Sequence, residues 1–177
     1  MDTVHSVALW AHILGIALFV GPQFFIAFAV VPATREIDDL TTRTKALRMI
    51  TERFTYIGGT GLALILIAGT YLISTWRDYY DAGDTIGFLD VRYGELFLVK
   101  MIVLLIMLVA VGLHTFVVGP KQLELMEAEA AGEDVAEELR STKMRSMALS
   151  ITGLALVLVI MGIGASMSTA EYSLRGL

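Results

Sequence analysis

The chain contains no cysteine. That excludes disulfides, thiolate metal sites and c-type haem attachment in any compartment. Proline is scarce, 3 in 177 residues, and charged residues make up only 18%. No basic surface supports nucleic-acid binding. A Ser-His-Asp arrangement, a Gly-rich phosphate loop and paired intramembrane carboxylates are all missing, which leaves hydrolase and nucleotide-dependent chemistry without residues. The first apolar stretch has neither a basic leader nor an early small-x-small cleavage site, so it reads as a retained helix.

Hydrophobic residues make up 56% of the chain, and the mean hydropathy is +0.71. Four apolar stretches stand out, about Val4–Pro32, Phe54–Trp76, Tyr93–Gly119 and Met147–Thr169. Each is long enough to cross a hydrocarbon core of about 30 Å. The expected fold is an all-α, integral membrane four-helix bundle: a single transmembrane domain over residues 1–177, with the lipid bilayer as its surroundings. Arg35, Arg43, Lys45, Arg48 and Arg53 fall in the first connection, and Lys121, Arg140, Lys143 and Arg145 in the third. The second connection has Arg77 and Arg92 among Asp78, Asp81, Asp84 and Asp90. The positive-inside bias then puts connections one and three in the cytoplasm and both termini outside, in a multi-pass protein of the cell membrane. The net charge of -5 does not alter this, because acidic residues contribute little to orientation. Glu124–Glu138 reads as a cytoplasmic helix or solvated arm.

The two halves are worded alike. FAVVPATREI stands beside FVVGPKQLEL, and TRTKALRMI beside STKMRSMAL. Aligning Pro32 with Pro120 sets His12 on Lys100, each twenty residues before its proline. Two duplicated helical hairpins would give this pattern, and repeat interfaces are common binding sites. Pro22 falls mid-helix, where a kink is expected. Trp10, Trp76 and Tyr93 read as an outer aromatic belt.

Ionisable side chains inside apolar spans are costly and mark functional sites. At about 100° per residue, residues seven or eleven apart share a helix face. His5, His12 and Gln23 make one such line, and Tyr93, Lys100, Met107 and His114 another. Imidazole is the usual axial ligand of b-type haem, with Met or Lys able to complete the shell. A bis-axial haem needs ligands at matching depth. His12 lies ~30 Å from Pro32, whereas His114 lies only ~9 Å from Pro120, so the two do not share one haem. His12 with a partner near Lys100, or with His5 one level up, fits better; His114 offers a second, inner site with Gln23 at comparable depth, and Arg77 and Arg92 are suited to the propionates of an outer haem. Copper is the alternative metal, since Met144 and Met147 are soft ligands three residues apart. Each residue also has a plain structural reading: His12 hydrogen-bonded to a neighbouring helix, Lys100 extended toward the interface, and His114 as a rim residue.

The run VRYGELFLVKMIVLLIMLVAVGLH resembles the third-helix signature of the copper-resistance D (CopD) type of small membrane proteins. ERFTYIGGTGLALILIAGTYL and ALWAHILGIALFVGPQFFIAFAVVPA are similar to helices two and one of that group. The pattern is also similar to HemJ-type protoporphyrinogen oxidases, four-helix proteins carrying haem b, whose first-helix His and third-helix Lys correspond to His12 and Lys100. The chain departs from them at FAVVPATREID, where HemJ proteins have a basic, histidine-containing segment. The resemblance implies a membrane b-type haem protein taking part in electron transfer or redox chemistry. Joined to the residue reading, this makes His12 the first metal-ligand candidate with Lys100 as its neighbour or partner, His114 the second-rank ligand, and Arg77 and Arg92 the candidates for haem propionates, with a quinol or redox protein as partner. If it is an enzyme, it is an oxidoreductase such as a protoporphyrinogen oxidase. The other expectations are copper transport or handling, and a structural subunit of a larger respiratory complex, either of which allows a homo-oligomer or membrane assembly.

Overall fold

A computed structural model describes residues 3–80, 83 and 85–176. Four long helices carry the chain: α1 (Thr3–Thr34), α2 (Leu40–Ser74), α3 (Arg92–Ala130) and α4 (Ala136–Met167). Each is long and apolar enough to span a membrane. The protein is therefore an all-α, multi-pass four-helix bundle. α1 packs chiefly on α2 and α3 on α4, giving two hairpins. The hairpins meet in a mid-bundle core of Phe19, Leu104, Met107 and Val157. Asp81 and Asp84 of the second connection lie outside the described residues.

The apolar stretches sit inside helices longer than themselves. α2 begins at Leu40 rather than near Phe54, α3 continues past Gly119 to Ala130, and α4 begins at Ala136 rather than near Met147. Asp39 starts α2 by accepting a hydrogen bond from the Thr42 amide at 2.9 Å, a standard N-cap. Gly132, with φ of 88°, turns the chain between α3 and α4. The extensions bury Leu125, Met126 and Leu139 against Leu40, Leu47 and Val135. Arg48 pairs with Glu127 at 2.7 Å, joining α2 to α3, and Lys121 approaches Glu138 at 3.4 Å. Connections one and three thus share one basic end of the bundle, and the acidic block forms part of a packed helical head.

The repeat has a backbone counterpart. Both α1 and α3 contain a five-residue π-helical segment, Ile26–Val30 and His114–Val118. Each ends two residues before a proline, Pro32 or Pro120, and the proline alignment superimposes them residue for residue. Proline lacks the N–H that would close an ordinary turn, and a wider turn accommodates that loss. Proline alone does not force it, however. Pro22 lies within the α-helical part of α1, and the π turn follows four residues later.

α1 and α2 cross at two glycines. A Cβ on Gly15 would stand 2.7 Å from the Gly61 carbonyl oxygen, and one on Gly61 would stand 2.8 Å from the Gly15 oxygen. Such backbone contact is how helices approach closely in lipid. At the other end of the bundle, Trp76, Tyr80, Phe88, Tyr93 and Phe97 form an aromatic lid. Trp76 stacks on Tyr93 with centroids 5.5 Å apart, and the Tyr80 hydroxyl donates to the Met167 carbonyl at 2.8 Å. Trp76 and Tyr93 are buried and Trp10 is exposed. Of the three expected belt residues, only Trp10 faces outward; the other two belong to the lid core. The C-terminal tail closes over this end, where Arg92 N–H donates to the Arg175 carbonyl at 3.2 Å.

Candidate functional site

His12 lies three turns into α1 and points at α2. Its Nδ1 is 3.1 Å from the carbonyl oxygen of Ile65. A carbonyl only accepts, so Nδ1 carries the proton and donates, which leaves the Nε2 lone pair for other work. Gly69, one turn beyond Ile65, makes room for the ring. A Cβ there would lie 3.3 Å from His12 Cε1 and 3.5 Å from Nδ1.

Lys100 enters from α3 at matching depth. It stands at the position that the proline alignment pairs with His12. Its ammonium faces Gly164 of α4, where a Cβ would lie 3.8 Å from Nζ. Each of the two polar side chains therefore faces a glycine on the partner helix of its own hairpin. No described carboxylate forms an ion pair with Lys100. The lid adjoins this level: its ring Phe97, and Leu96 and Ile163 packed against the cluster, lie within one turn of Lys100 and Gly164.

His114 lies elsewhere. It opens the π-helical segment of α3, ~21 Å along the helix from Lys100. Its Nε2 is 3.5 Å from the Ser150 hydroxyl of α4, and its Nδ1 is buried with no hydrogen-bond partner. Gln23 does not join it; its amide donates back to the Phe19 carbonyl at 2.9 Å. His5 is buried near the start of α1. Both polar lines thus point inward, with Tyr93 and Met107 buried and Lys100 and His114 partly so. The proline alignment sets His12 level with Lys100.

Arg77 and Arg92 already have contacts at the loop end. Arg77 donates through Nη2 to the Ile86 carbonyl at 2.6 Å and lies over the Trp76 ring at 5.5 Å. Its Nε is buried without a partner. Arg92 lies over Tyr172 at 5.1 Å. Met144 and Met147 are exposed at the basic end. Among the described residues, no group of three or more His, Asp or Glu side chains is placed to hold a metal ion. An iron or copper here would depend on one imidazole and on donors of other kinds.

What sequence reasoning missed is the glycine opposite each polar group. Gly69 and Gly164 read as generic packing residues, and only the paired helix shows what they face. The aromatic lid was hidden for a similar reason, because buried and interfacial Trp and Tyr look the same in sequence.

Fold and site together define a four-helix membrane protein with an imidazole–amine pair beneath an aromatic lid. The chain belongs to the family described as a domain of unknown function, DUF4149, whose model matches residues 14–131. That match takes in Lys100 and His114 and begins two residues after His12. Neither curated proteins nor solved structures gave a match.

Proposed function

We propose that the protein is a b-type haem protein of the cell membrane that takes part in electron transfer or redox chemistry, with His12 as the iron ligand. One observation carries this reading: His12 donates Nδ1–H to the Ile65 carbonyl, with its ring seated against Gly69, so its Nε2 lone pair is not used in that bond. Histidines that ligate metals almost always have the other ring nitrogen held in this way, which fixes the tautomer and raises the basicity of the ligating nitrogen. The glycines at 69 and 164 let the His12 ring and the Lys100 ammonium pack against the partner helices. Lys100 puts a cation beside the ligand, and Arg77 and Arg92 put two more at the loop end, a distribution that suits carboxylate-bearing cofactors. Haem iron held by this imidazole would supply one-electron chemistry, its potential set by ligation, burial and neighbouring charge. Lys100 is positioned to hold or release a proton when charge at His12 changes.

The basic end, with its concentration of Lys and Arg, is assigned to the cytoplasm and both termini to the outside. A quinol or a redox protein is the partner class this arrangement suits. The test is a reduced-minus-oxidised difference spectrum of the full-length protein purified from haem-replete membranes. A b-type α-band is expected. A flat difference spectrum would overturn the proposal.

A further inference from the structure

We infer that the basic rim binds two anionic phospholipids, one on each hairpin, each at an equivalent lysine and methionine. Two surface depressions lie at this end. One, of about 310 Å³, is lined by Arg140, Lys143, Met144 and Met147, with Glu129 at its edge. The other, of about 550 Å³, is lined by Lys45, Arg48, Met49, Arg53 and Tyr56, with Glu52 among them. Aligning the Thr-Lys pair at 44–45 with that at 142–143, ten residues further apart than the two prolines, superimposes Lys45 on Lys143 and Met49 on Met147. The two threonines are both buried, so the alignment also agrees with which side of each helix faces inward. Each depression therefore contains a lysine with a methionine one turn further into the span, ~6 Å deeper.

Charge and polarity identify the occupant. In the first depression two cations face one carboxylate, leaving one net positive charge. In the second, three cations face Glu52, and Arg48 is engaged by Glu127, which again leaves one. A single phosphodiester carries one negative charge. Below the cations the surface turns apolar, with Met49 63% and Met147 59% exposed. Tyr56 and Ile57 continue that surface on α2, and Ile151 on α4, all exposed. A free phosphate would have no use for this apolar ladder, whereas a lipid headgroup with its acyl chain matches both parts. Juxtamembrane cations attract anionic lipid by roughly a factor of five each.

The inference does not depend on what His12 binds. It is tested by native mass spectrometry of full-length protein released from vesicles of phosphatidylglycerol mixed equally with phosphatidylcholine. Expected is preferential retention of two phosphatidylglycerol molecules. R140Q/K143Q and K45Q/R53Q should each lose one, their combination both, and R175Q at the opposite end neither. Glycerol phosphate added at equal concentration should not compete. Equal retention of the two lipids by the unmodified protein would overturn the inference without any variant. Loss of phosphatidylglycerol on adding glycerol phosphate would also overturn it, as would unchanged retention in variants that keep full helicity.

Discussion

Gly15 and Gly61 meet backbone to backbone across the first hairpin, each within 2.8 Å of where the other's side chain would begin. This contact sets the separation of α1 and α2, and so the distance at which His12 reaches the Ile65 carbonyl one turn further on. Gly61→Leu has no flexible neighbour to displace, because backbone atoms fill the space. It should cost at least about 1–3 kcal/mol of stability, the usual range for overpacking. Thermal unfolding in detergent measures the loss, and Gly59→Leu, where nothing lies within 4 Å, should change little.

Gly69 makes a milder demand. The Gly69 Cβ position is 3.3 Å from the His12 ring, so alanine needs a shift of only a few tenths of an ångström, whereas leucine must expel the ring. Gly69→Leu should therefore break the hydrogen bond to Ile65 and abolish any ligand held by His12, while the helical content stays unchanged by circular dichroism. Gly69→Ala should keep both.

At the basic end the apolar contacts outweigh the ion pair. Arg48 and Glu127 are each about half exposed, and such pairs contribute under about 1 kcal/mol. Leu139 is 1% exposed in the small core beside it. Leu139→Ala should cost about 2–5 kcal/mol, several times the effect of Glu127→Ala in the same denaturation experiment.

The first turn of α2 should respond to acid. The Thr42 hydroxyl, and then its amide, hold the Asp39 carboxyl below the ordinary carboxylate value of 3.8. A carboxylate with a lowered folded-state pKa adds stability that is complete above the unfolded value and is lost as pH falls through the folded one. Amide exchange at Thr42 should accordingly stay flat from neutral pH down to about 4 after correction for intrinsic rates, and accelerate below that. Asp39→Asn keeps an accepting oxygen without the titration, so the acid-dependent step should vanish.

The spans were legible because lipid demands long apolar runs, and the shared depth of His12 and Lys100 was legible because two prolines mark the same level in each half. The helical head at the basic end was not. The charged segment Leu40–Arg53 resembles a loop when hydropathy alone is read, and Glu124–Glu138 reads as a helix or solvated arm without showing that it packs on α2. Their signals were local, the Asp39 cap and the turn glycine at 132. Trp76 and Tyr93 read as an interfacial belt because aromatic rings suit headgroups and buried clusters equally well. Only the Tyr80, Phe88 and Phe97 side chains brought around them by the fold separate the two cases. The π-helical segments were unreadable as such. Proline at 22 sits in α-helix, while prolines at 32 and 120 follow wider turns, so residue type alone does not specify the outcome.

Proposed haem binding turns on the His12 Nε2 lone pair, which the Ile65 hydrogen bond leaves unused. The most direct measurement is the visible spectrum of the protein purified from haem-replete membranes, beside His12→Ala and His114→Ala. The account predicts a Soret band that disappears in His12→Ala and survives in His114→Ala. A colourless unmodified protein, or a band indifferent to His12→Ala, would contradict it.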